Sequence, residues 1–107
     1  MQMLTTEEEL NQALSAHPGK PVVIFKHSTQ CPISAAAYRQ VEQFVAADTA
    51  PVYLIRVIEE RPLSNYYAEH FGVRHQSPQA IVMRDGKVLW NASHYDITAK
   101  ALSNAIQ

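Results

Sequence analysis

At 107 residues the chain has room for one core and no second one, and its 47% hydrophobic and 18% charged content is that of an ordinary folded domain. A formal net charge of -1, with acids and bases mixed along the chain, gives no basis for a nucleic-acid or anionic-membrane partner. No apolar run is long enough to span a bilayer, no basic segment followed by an apolar stretch opens the chain, and a lone cysteine excludes an intramolecular disulfide scaffold. The expectation is one soluble domain, 1–107, monomeric and cytoplasmic, where thiols stay reduced.

Thr6-Glu7-Glu8-Glu9 has capping-box spacing, with acids in the first turn where the helix dipole favours them. Leu10, Ala13 and Leu14 continue an apolar stripe until Pro18-Gly19 stops the helix. Pro21 to Phe25 is a β-branched and aromatic run, as expected of a strand buried on both faces. A polar segment, Lys26 to Gln30, then leads to Cys31-Pro32, and helical spacing follows through Ala35, Tyr38, Val41 and Phe44 to about Ala47. Val52 to Ile58 is a second buried strand, and Leu63 to Phe71 a helix with Gly72 placed as its left-handed cap. Gln79–Met83 and Lys87–Trp90 flank Asp85-Gly86, a hairpin signal. A last helix runs from Asp96 or Thr98 to Ile106. The order α-β-α-β-α-β-β-α predicts a three-layer α/β/α domain around a central mixed four-stranded sheet. Strands separated by helices are expected to pair in parallel, with the hairpin as an antiparallel edge.

The chemistry-bearing residue is Cys31, at a polar junction between strand and helix, with Pro32 suited to the first helical position. The free amides and positive dipole end of such a turn favour thiolate, and thiols so placed have pKa values of roughly 3.5 to 7.5, against roughly 8.5 when free. Ser34 stands where a Cys-x-x-Cys dithiol has its resolving cysteine. Its hydroxyl can either hydrogen-bond the thiolate or satisfy a first-turn amide, and it cannot attack a mixed disulfide. Lys26 and His27, upstream of the sulfur, could add positive potential near it, but are read first as a surface lysine and a solvated histidine. The five histidines lack ligand spacing, so no metal is expected, and no serine sits in a Gly-flanked nucleophile turn.

Four segments then point the same way: Lys26 to Ser34, Arg61 to Asn65, Phe71 to Gln79, and Ser93-His94 with Ile97-Thr98. In this order they resemble the YtxJ-type monothiol bacilliredoxins over nearly the whole chain. The resemblance implies a thioredoxin-like fold and debacillithiolation, the removal of bacillithiol from mixed disulfides on client proteins. Bacillithiol would be the co-substrate, and no cofactor would be bound. It implies Cys31 as nucleophile, Ser34 in place of a resolving cysteine, and Ser77 and Pro78 as a facing loop. The fold raises the share of cis at such a proline well above the usual ~5–6%, while the isomer itself is not read from sequence. Thr29 and Pro32 are read as supporting residues, and Thr29, Arg74 and His75 as candidates for the thiol pocket, on position alone. A non-catalytic module S-thiolated at Cys31 is the alternative of a different class, and glutathione-type disulfides are the alternative substrate.

Overall fold

A computed structural model describes residues 1–107. Its elements are β1 (Gln2–Met3), α1 (Glu7–Ser15), β2 (Pro21–His27), α2 (Pro32–Ala46), β3 (Val52–Arg56), α3 (Arg61–Phe71), β4 (Gln79–Arg84), β5 (Lys87–Ser93), a 3-10 turn (His94–Asp96) and α4 (Ala99–Ala105). The strands form one sheet in the order β1-β3-β2-β4-β5. It has five strands rather than the expected four, because Gln2 and Met3 pair with Tyr53 and Leu54 on the outer side of β3. Two residues make no periodic run, so this strand exists only through its partner.

The sheet is mixed, but not where the sequence predicted. β2 and β3 run parallel, joined by the helical crossover that parallel neighbours need, whereas β4 lies antiparallel to β2 although α3 precedes it. A helix between two strands fixes their direction only when both run the same way, and here α3 returns the chain to the end of the sheet that carries Cys31. β5 then folds back on β4 through Asp85-Gly86, both at positive φ (50° and 76°), as a two-residue turn of matching twist needs.

Each helix forms for a local reason and buries one stripe. Thr6 caps α1 reciprocally with Glu9, and Leu10 and Ala13 face inward. Ser34, Ala37, Val41 and Phe44 repeat at three- and four-residue steps on the inner face of α2. Gly72, at φ 66°, ends α3 in the left-handed conformation with its amide donating to the Ala68 carbonyl. α4 begins at Ala99, with Thr98 accepting from the Ala101 amide, so Asp96 belongs to the preceding 3-10 turn.

Because β2 is central, both its faces are covered and its side chains divide between two cores. Val22 and Ile24 pack with Leu10, Leu63, Tyr67 and Ile81 on the α1/α3 side. Val23 and Phe25 pack with Val41, Phe44, Val82 and Leu102 on the α2/α4 side. The same alternation sends Lys26 and His27, the last residues of β2, to opposite sides.

Candidate functional site

Cys31 is the N-cap of α2, half-buried, with extended backbone and no side-chain capping bond. Pro32 opens the helix and brings no amide. The first intrahelical bond runs from the Ala35 amide to the Cys31 carbonyl at 3.1 Å, so the Ile33 and Ser34 amides have no helical acceptor. The positive end of the helix thus stands at the one sulfur.

Ser34 does not serve a first-turn amide. It is fully buried, and its Oγ accepts the Ser28 amide at 2.9 Å and lies 2.7 Å from His27 Nδ1. The hydroxyl at the resolving position therefore ties the end of β2 and the loop before Cys31 to the first turn of α2. His27 is 8% exposed, not solvated as expected, and its ring lies 4.9 Å from that of Tyr38 and 5.5 Å from that of Phe25. Burial holds its protonation below the ordinary imidazole range, outweighing the attraction of Glu59. In neutral His27 one ring nitrogen is a bare acceptor, and Nδ1 is so placed for the Ser34 proton.

Lys26 corrects the surface reading more strongly, being wholly buried. Its Nζ donates to the Ser64 carbonyl at 3.0 Å and to His75 Nδ1 at 3.3 Å, and stands 5.2 Å from the centre of the Tyr67 ring. No carboxylate pairs with it, and desolvation pushes its pKa down to about 8. Both corrections have one cause. β2 runs two residues further than the apolar run that signals it, so these side chains stay within the layers.

The position of the Ser77–Pro78 turn follows from the register. Gln79 pairs with Lys26 in the antiparallel β2–β4 ladder, which brings Pro78 and Ser77 alongside the end of β2. The Ser77–Pro78 peptide, whose isomer the sequence left open, is cis. The Pro78 carbonyl accepts the His94 amide at 3.1 Å, and Ser77 Oγ is buried without a hydrogen-bond partner. Gln79, itself 1% exposed, braces the approach: its Nε2 donates to the Arg74 carbonyl at 3.1 Å and its Oε1 accepts the Gln76 amide at 3.3 Å.

The three candidates for the thiol pocket do not cluster. Thr29 is exposed and lines a cavity of ≈ 320 Å³ on the α2 side, with His27, Ser28, Ala35, Tyr38 and Arg39. Arg74 and His75 are exposed on the α3 side, before the cis proline. The larger depression, ≈ 540 Å³, lies between the end of α1, the end of α3 and the Asp85-Gly86 turn, away from the cysteine. Sequence reading missed Ser64, Tyr67 and Gln79 as parts of the site. Only Gln79 carried a signal, a polar residue opening a buried apolar strand.

Comparison with known proteins agrees with this geometry. The family model of monothiol bacilliredoxin BrxC matches residues 2–102. Among solved structures, a thioredoxin-fold protein assigned as an oxidoreductase is 36% identical, with a TM-score of 0.92 over 99% of this chain and 93% of that one. Fasciola hepatica thioredoxin, at 18% identity and TM-score 0.79 over 99% and 96% of the two chains, shares the fold. So does mitochondrial thioredoxin 3 of Saccharomyces cerevisiae, at 17% identity and TM-score 0.76 over 99% and 92%. With a thioredoxin-like sheet, one sulfur at the head of α2 and a serine where a second would stand, the chain belongs to the monothiol bacilliredoxin family.

Proposed function

We propose that the protein removes bacillithiol from mixed disulfides on client proteins, with Cys31 as the only nucleophile. The observation that carries this reading is the pairing of a single sulfur at the amide-rich start of α2 with a hydroxyl, at position 34, that is bound inward to His27 and Ser28. The first step of disulfide exchange has an attacker here, and the internal second step has none.

The Cys31 thiolate attacks the bacillithiol sulfur of the client disulfide. A sulfur–sulfur bond forms between Cys31 and bacillithiol, the client–bacillithiol bond breaks, and the electron pair leaves with the client as thiolate. A second bacillithiol thiolate then attacks the bacillithiol sulfur on Cys31, giving bacillithiol disulfide and the Cys31 thiolate. The amides of Ile33 and Ser34 face the charge on the sulfur at either end of the cycle. Backbone groups of the Ser77–Pro78 turn, whose Pro78 carbonyl is held by the His94 amide, receive the disulfide, with Arg74 and His75 on the α3 side and Thr29 on the α2 side as separate candidate contacts for the small thiol. The partners are bacillithiolated proteins and the free thiol, in the cytoplasm.

Intact mass of the reduced protein, after incubation with a bacillithiolated client, tests this directly. One bacillithiol adduct on Cys31 is expected to appear as client thiol is freed, and to clear on addition of bacillithiol. A Cys31→Ser variant that still frees client thiol, or a wild-type protein that neither gains the adduct nor frees client, overturns it. Faster turnover of glutathionylated clients would replace the substrate and keep the chemistry.

A further inference from the structure

Lys26 is a charged group wholly inside the fold with no carboxylate to answer it; the ion pairs of the chain join Arg56 to Glu59 and Glu60. A protonated ammonium has three N–H donors and no lone pair, so every polar contact it makes is a donation. Its two polar contacts are the Ser64 carbonyl at 3.0 Å and His75 Nδ1 at 3.3 Å. Nδ1 is therefore the bare nitrogen of His75, and the ring proton resides on Nε2. Ser64 Oγ, 3.4 Å from the same Nδ1, fits as a second donor. The two ring nitrogens open on different sides of the imidazole. With Nδ1 turned inward and the residue exposed, Nε2 faces outward from the turn that leads to Pro78.

We propose that Lys26 is a positioning residue acting through His75: it fixes the Nε2–H tautomer and so presents an outward N–H donor, beside the Ser77–Pro78 turn, to a carboxylate or hydroxyl oxygen of the small thiol in the mixed disulfide. The ligand half of this inference rests on the function proposed above; the tautomer half does not. The electrostatics agree, since burial first, then Lys26 from β2, then Arg61 from α3, hold His75 below its ordinary pKa. Ser64 and Tyr67, the other α3 side chains grouped around the ammonium, bring no charge that would reverse this. His75 thus stays a neutral donor with a defined direction.

The test begins with side-chain 15N spectra of the reduced protein at neutral pH. Wild-type His75 is expected to show a protonated Nε2 and a bare Nδ1. In Lys26→Met, which keeps the length and apolar stem, the two tautomers are expected to mix and the His75 titration to move upward. With a bacillithiolated client, His75→Ala is expected to raise KM about ten-fold, the loss of one hydrogen bond to a charged or strongly polar oxygen, with little change in kcat. Lys26→Met is expected to raise KM less, and the double variant no more than His75→Ala alone. His75→Ala takes one of two acceptors from the buried Lys26 ammonium, but the residue is exposed, so water can replace the ring there. An unchanged denaturation midpoint shows that this variant folds even if Lys26→Met does not. An unchanged tautomer and titration in Lys26→Met overturns the positioning role. Additive KM effects in the double variant overturn its action through His75. A tautomer response in a protein that ignores bacillithiolated clients upholds the Lys26–His75 coupling and overturns the ligand half together with the proposed function.

Discussion

The last two residues of β2 are one peptide apart and solve opposite problems. On the α2 side, His27, Ser34 and the Ser28 amide close a neutral network in which buried donors and acceptors answer one another. On the α3 side, Lys26 carries a charge into the interior and meets only neutral acceptors and an aromatic face. The neutral network stabilises, because each polar group taken from water is hydrogen-bonded again. The charged one costs stability, since a carbonyl, an imidazole nitrogen and a ring do not fully replace the hydration of an ammonium. One side therefore holds the cysteine loop in place, and the other spends stability to orient a side chain.

The largest expected effect lies on the charged side. Unfolded, Lys26 takes up its proton near 10.5, and folded near 8, so between these values the unfolded chain binds more protons and stability climbs as pH rises. The climb is about 3 kcal/mol at ~1.4 kcal/mol per tenfold, complete above the upper value and absent below the lower. Tyr53 and Tyr67, whose ionisation burial pushes up, act in the opposite sense at alkaline pH but are common to the wild type and Lys26→Met. Urea unfolding at neutral and alkaline pH is expected to show wild type gaining on Lys26→Met by this amount, and parallel profiles would mean that Lys26 is not buried as a charge. Next, Ser34→Ala is expected to cost about 1–3 kcal/mol at neutral pH, because it strands the Ser28 amide and His27 Nδ1. Its denaturation midpoint measures this, and faster hydrogen exchange at the Ser28 amide separates the loss from a general loosening. An unaffected midpoint would erase the distinction between the two sides. The smallest effect is on the acid side. A histidine held below its ordinary pKa is uncharged when folded and protonates more readily when unfolded, so stability falls as pH drops below that ordinary value. In His75→Ala the limb left between about pH 7 and 5 belongs to His27, and a flat profile there would contradict its burial.

What the sequence made legible was whatever is decided within a few residues. Thr6 with Glu9, Gly72, Asp85-Gly86 and the Cys31-Pro32 start of α2 all form as their local chemistry dictates. What it hid was decided across the sheet. β1 forms only because β3 offers it a free edge, and the direction of β4 is set by where α3 delivers the chain. Lys26 and His27 read as loop because apolarity ends at Phe25, whereas hydrogen bonding to β3 continues to His27. The same two residues of misplacement concealed the site's polar interior. Cys31 and Pro32 head α2 and Pro78 precedes β4, both readable from local spacing, but the partners of Ser34 and the Lys26–His75 contact follow from neighbours distant in sequence.

The two outer strands bear on how a polypeptide is received. Strand addition, in which a guest segment zips its main chain onto an open border, needs a long flat row of unpaired amides and carbonyls. β1 is too short to offer one. β5 is longer, but Leu89 is an extra residue between the Met83–Val88 and Val82–Trp90 pairs, a bulge that twists the border away from a straight partner. Neither border offers a guest strand a long straight row of partners, which leaves the loop before Cys31, the start of α2 and the Ser77–Pro78 turn as the backbone a thiol-modified protein would meet.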